Sequence, residues 1–113
     1  MAGILNLTID QGITYTNDIT VYQADGTTPM NLTGYTAASQ FRKNYTSTAY
    51  TAFTCVLASP NTLGRINMSL TATQTSAVKA GYYYYDVEIT NSAGTVTRVM
   101  EGKIHFKPNV TKA

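Results

Sequence analysis

The segment AGYYYYDVEIT (Ala80–Thr90) decides how this chain folds. A β-strand sends successive side chains to opposite faces, so residues two apart share a face. Val87 and Ile89 belong in a core, because the alternative would bury Asp86, Glu88 and Thr90 instead. Counting back by two places Tyr83 and Tyr85 on the core face. Tyr82 and Tyr84 then point to solvent. The run of four rings splits into a core pair and a surface pair.

The same period of two extends over most of the chain, broken repeatedly by turn residues, as in sandwiches and barrels of short strands. Leu5, Leu7 and Ile9 alternate with polar neighbours. Ile13, Tyr15, Ile19 and Val21 share a face opposite Thr14, Thr16, Asp18 and Thr20. Asp25-Gly26 supplies a turn, and Pro29 cannot donate to a central ladder. Tyr35, Ala37, Ser39 and Phe41 form the next apolar row, followed by Phe53, Cys55 and Leu57, then Ile66, Met68 and Leu70. Between Leu70 and Gly81 the period changes. Thr71-Ala-Thr-Gln74 is a capping-box pattern, which predicts one or two helical turns. The last strand runs from about Val96 to Phe106. Its alternation is confused around Arg98–Met100, which predicts a bulge or a switch of facing there. The expected fold is all-β, an antiparallel sandwich of about seven strands. One short helix precedes the tyrosine-rich strand, and residues 1–113 form one domain with extended termini.

Composition narrows the function classes. Hydrophobic residues make up 43% of the 113, enough for a folded core. Charged residues are only 12%, about half the usual share. Threonine and serine take their place, and such a surface is easily desolvated, as suits a chain that ends in an assembly. A net charge of +2 is too small to predict a nucleic-acid partner. Lys103, His105, Lys107 and Lys112 are the scattered cations of a solvated end. Cys55 has no partner cysteine, so the fold needs no oxidising compartment. No apolar run approaches a membrane span, and MAGILNLTIDQG has neither the basic nor the apolar region of a secretory signal. A complete, soluble chain made in the cytoplasm is expected. The five Asn-x-Ser/Thr triplets, beginning at Asn6, Asn31, Asn44, Asn67 and Asn109, are then expected to stay unmodified.

No catalytic, metal or cofactor constellation emerges. His105 is the single histidine and sits between Lys103 and Lys107, a poor setting for a base or a metal ligand. Asp86 and Glu88 lie two apart on one strand face, the spacing that brings carboxylates together. They are expected on an outward face without a pocket. Asp10, Asp18 and Asp25 lack the density of a calcium loop. A non-enzyme without cofactor is expected.

Tyr83 follows a short helical connection and Ala80-Gly81, and this resembles the tyrosine corner of immunoglobulin-like sandwiches, whose hydroxyl bonds back to the preceding backbone. Tyr85 stands where such domains carry their second cysteine, so no disulfide of that type is present. A wider likeness covers residues 13–111. Leu70-Thr-Ala72, the Ala80-Gly-x-Tyr-x-Tyr-Asp-x-Glu-Ile89 run, Gly94-x-Val-x-Arg98, Glu101-Gly102 and Pro108-x-Val-Thr111 resemble a block in small virion proteins of tailed bacteriophages. Asn31-Leu-Thr-Gly-Tyr35 resembles a companion strand of the same group. The group includes the immunoglobulin-like N-terminal domain of phage baseplate upper proteins. What the resemblance implies is a virion structural protein, a capsid decoration protein, located in the virion. Its partners would be the major capsid protein or tail and baseplate proteins, with self-association as a further option and no nucleic acid or membrane. A tail or baseplate accessory protein, or a carbohydrate- or host-surface-binding module, is the alternative. The interface candidates are the outward Tyr82 and Tyr84, together with Leu5, Leu7, Lys107 and Val110 near the two ends, where a neighbour could add or order a strand.

Overall fold

Period-two alternation forms strands wherever both faces find a use, and in the computed structural model it forms eight among the described residues. The structure describes residues 3–23 and 26–108. The elements are β1 (Gly3–Ile4), β2 (Leu7–Asp10), β3 (Tyr15–Thr20), β4 (Thr36–Arg42), β5 (Thr51–Leu57), β6 (Arg65–Leu70), α1 (Ala72–Ala77), β7 (Gly81–Thr90) and β8 (Val96–Lys107). A single 3₁₀ turn, Asn61–Leu63, precedes β6. The fold is all-β with one short α-helix among the described residues. The strand order is β1-β8-β7-β4-β5-β6-β3, with β2 also lying along β8.

Strand β5 makes the sheet curl. Its first half, Thr51 to Phe53, pairs with β4, while Thr54 to Leu57 pairs with β6. One strand thus serves two directions, and the apolar rows of both halves face one core. Leu7, Ile9, Ile19, Phe41, Phe53, Ile66, Met68, Leu70, Val87, Ile89, Ile104 and Phe106 are all buried there. Phe41 is its hub, with ring centroids 5.1 Å from Phe106, 5.5 Å from Phe53 and 5.5 Å from Tyr83. Such tilted and edge-on contacts suit the ring quadrupoles.

Strand β7 follows the alternation. Tyr85, Val87 and Ile89 are buried, Tyr83 packs against the core, and Tyr82 is 62% exposed. The Tyr83 hydroxyl donates to the Lys79 carbonyl at 2.9 Å, closing the corner that joins α1 to β7. The capping box is formed: the Thr71 side chain accepts from the Gln74 amide at 3.1 Å, and the Gln74 side chain accepts from the Thr71 amide at 2.8 Å. Of the bulge or switch of facing expected near Arg98–Met100, a bulge is what forms. Val87 opposes Met100 but Glu88 opposes Arg98, so Val99 is the extra residue. Val99 and Met100 both pack against the core, and Arg98 emerges on the outer face.

The N-terminal segment departs from expectation. Leu5 to Ile9 is not one strand: β1 and β2 run parallel to β8 with a break at Leu5 and Asn6. The cause lies on β8. A Cβ at Gly102 would overlap the Leu5 carbonyl, so only glycine lets the two backbones approach. The Leu5 carbonyl accepts from the Tyr85 hydroxyl at 2.6 Å, and the Asn6 side chain accepts from the Lys103 amide at 3.0 Å. Ile13 also departs from its expected face. It lies just before β3, 49% exposed, and its carbonyl accepts from the buried Thr75 hydroxyl at 2.8 Å. Turn residue Asp25 falls outside the described residues.

Two outcomes follow from this packing. Gly102→Ala must push the N-terminal segment off β8, so amide exchange of residues 4–10 should accelerate by at least about tenfold relative to the rest of the sheet. Uniform exchange changes would contradict the local clash. The second concerns alkali. Burial raises the Tyr85 hydroxyl well above the ordinary tyrosine range, with neighbouring Tyr15 adding to it, and burial also raises Tyr15 and Tyr83. The folded chain therefore holds these protons more tightly than the unfolded one. Stability is intact below about pH 10, the unfolded tyrosine value, and falls as pH rises beyond it. Urea midpoints measured from pH 8 to 12 should show that fall, and Tyr85→Phe should flatten it.

Candidate functional site

The outer face of β4, β7 and β8 is built from three cross-strand rows. Arg42, Tyr84 and Lys103 form the first, Gln40, Asp86 and Glu101 the second, and Ala38, Glu88 and Arg98 the third. Short Ala38 leaves a depression between taller neighbours. The result is a groove of about 330 Å³ whose lining includes Gln40, Tyr45, Tyr84, Asp86, Glu88, Arg98 and Glu101. Asp86 and Glu88 were expected on an open face, and the structure instead sets both in this groove. Asp86 directly opposes Glu101, a like-charge pair that costs stability, and Arg98 Nε at 3.3 Å from Asp86 offsets part of that cost. Both partners of the ion pair are well exposed, so its net worth is small.

Tyr84 and Tyr82 part company here. Tyr84 is half-buried and stacks on Tyr45 with centroids 4.7 Å apart, while the Lys103 ammonium lies 5.8 Å from its centroid. Tyr82 stacks on His105 at 4.6 Å with an interplanar angle of 11°, outside the groove. The pairing is cross-strand, since Tyr82 and His105 are register partners. Among the other interface candidates, Leu5 is 38% exposed and Lys107 is exposed at the end of β8. Leu7 is 8% exposed within the core, so its side chain is committed to packing. Val110 lies outside the described residues.

Loop 43–50 closes one end of the groove and is held by Arg42. The guanidinium donates to the Ser47 carbonyl at 2.6 Å and to Gln40 Oε1 at 3.0 Å, and it lies 4.8 Å from the Tyr50 ring centroid. The Asn44 side chain accepts from the Thr46 amide and from the Thr46 and Ser47 hydroxyls. Beyond this loop lies a second groove of about 270 Å³, with Phe41, Val78 and Tyr83 beneath Lys43 and Lys79. Neither Tyr45 nor this loop stood out in the sequence, where residues 44–50 are merely threonine-rich and polar.

Among the described residues no group of three or more His, Cys, Asp and Glu side chains could hold a metal ion. Cys55 is half-buried, and burial pushes its thiol up, away from the reactive thiolate. No helix among the described residues is long and apolar enough to cross a membrane.

No family model matches the chain, and no curated protein does. Among solved structures, an internalin-like protein of Listeria monocytogenes superposes on 96% of this chain, at 12% identity and a TM-score of 0.46. The chain spans 28% of the length of that protein.

The Tyr45–Tyr84 stack should show its worth in a double-mutant cycle. Tyr45→Ala and Tyr84→Ala, singly and together, should give a coupling of about 0.5 kcal/mol, the low end for aromatic pairs because one ring is solvated. Zero coupling in urea unfolding would mean that the rings do not hold the loop to the sheet.

Proposed function

We propose that the protein is a non-catalytic structural protein of a bacteriophage virion, an immunoglobulin-like sandwich that docks on the particle as a capsid decoration protein. The observation that carries the docking half of this reading is the exposed Tyr82–His105 stack on the outer face of β7 and β8. A large ring with a polar tip, already held rigid by its neighbour, loses little entropy on being covered. Ile4 on β1, the outermost strand of the same sheet, and Leu5 in the break after it add exposed apolar surface. The virion context rests on the resemblance of the Leu70–Thr111 block to phage virion proteins.

Strand order supports the immunoglobulin-like part. The pairing runs β4-β7-β8 and β5-β6-β3 follow the same neighbour order as the C-F-G and D-E-B strands of that fold. The tyrosine corner at Tyr83 stands at the start of the strand that carries it there. Docking by a weak patch repeated over a symmetric lattice gains effective affinity from the repetition. The partners are capsid or tail proteins, and the site of residence is the virion. The tail or baseplate accessory role fits the same patch and differs only in which protein is underneath.

Mass spectrometry of purified virions should find the chain in stoichiometric amount. Tyr82→Ala combined with His105→Ala should keep the fold and lower occupancy of depleted particles by at least about tenfold in co-sedimentation, the loss of one aromatic anchor. Virions without the protein, or full occupancy by the double variant, would remove the reading.

A further inference from the structure

The groove across β4, β7 and β8 is chemically unlike the rest of this surface. The chain has only six Asp and Glu residues, and three of them, Asp86, Glu88 and Glu101, line this one depression. Arg98 reaches it only because of the bulge. In an unbroken register Val99 would oppose Glu88 and occupy the outer face, with Arg98 turned to the core. The extra residue sends Val99 inward and brings a guanidinium to the groove instead. Glu88 and Glu101 form no ion pair within the described residues. At the other end stands the Tyr45–Tyr84 stack, with Tyr45 75% exposed and the loop behind it fixed by Arg42.

The geometry points to a binding site for a neutral pyranose sugar. Vicinal ring hydroxyls both donate and accept, and the groove offers both counterparts: carboxylate oxygens on Glu88 and Glu101, guanidinium and amide donors on Arg98 and Gln40. The apolar C–H face of the ring needs a flat, polarisable partner, and the tyrosine stack at the wall supplies one. Both signs of charge are present, so neither an anion nor a cation finds a uniform field. A volume of about 330 Å³ lies at the lower end for small-ligand clefts and suits one or two rings. Tyr82 lies outside the groove, so this site does not depend on docking through the Tyr82–His105 patch.

The test is a nuclear magnetic resonance titration of the full chain with the methyl pyranosides of glucose, galactose and mannose and with N-acetylglucosamine. Glycerol serves as an open-chain polyol, and arginine methyl ester as a cation. At least one pyranoside should shift the amides of residues 38–45, 84–88 and 98–101 saturably, with a Kd of about 1 mM or tighter, while glycerol does not. Tyr45→Ala, at an exposed position that the fold tolerates, and Glu101→Gln should each weaken that binding by about tenfold, one lost contact of ~1.4 kcal/mol. Tyr82→Ala should leave it unchanged, although that variant weakens particle docking. Silence with all four sugars, equal shifts with glycerol, tighter binding of arginine methyl ester than of any sugar, or undiminished binding by Tyr45→Ala would each overturn the assignment.

Discussion

Strand β7 is hydrogen-bonded on both sides, to β4 through Tyr84–Thr90 and to β8 along its whole length. Its register governs everything around it. A slip of one residue would exchange Tyr85, Val87 and Ile89 for Tyr84, Asp86 and Glu88 on the core side. Burying two carboxylates without partners costs far more than any gain the slipped rings could supply. The same constraint that fills the core with Tyr85, Val87 and Ile89 therefore fixes which residues appear outside. The groove is the reverse side of the core.

The strand that flanks β7 carries two local exceptions to regular pairing, and each has a separate consequence. At Val99 the bulge gives the core one more apolar side chain and the outer face one guanidinium. At Gly102 the missing side chain admits the Leu5 carbonyl, which then becomes the partner that the buried Tyr85 hydroxyl requires. A buried hydroxyl without a partner is expensive, so the N-terminal segment is tied to the core by a polar need. That is why residues 3–10 lie along β8, and why Leu7 packs inward where an open strand edge was expected.

What the sequence shows and what it hides divide along contact distance. The alternation in Ala80–Thr90, the capping box at Thr71–Gln74, the disturbed pattern at Arg98–Met100 and the Tyr83–Lys79 corner are all written in neighbouring residues. Each was legible because a few adjacent positions contain the whole pattern. The Tyr85–Leu5 bond spans 80 residues, and the Tyr45–Tyr84 stack joins a loop to a strand through the β4–β7 pairing. No local pattern marks either. A glycine inside the last strand was the one available sign of close backbone approach. Asp86 and Glu88 were paired in the sequence, but neither Glu101 beside them nor the groove was, because the depression arises from three strands, a short alanine and a loop together.

Arg42 shows how a chain with few charges uses them. It stands between two grooves, one holding three carboxylates and the other edged by Lys43 and Lys79 with no carboxylate in its lining. Its guanidinium faces neither groove freely, because its donors are engaged by the Ser47 carbonyl and Gln40 and its plane lies by Tyr50. A free cation there would pair with the carboxylates and fill the first groove. Spent on the loop, it acts as a strut: it holds Tyr45 against Tyr84 and leaves Glu88 and Glu101 open to solvent. Elsewhere the surface is largely threonine and serine, which offer hydrogen bonds without fixed charge.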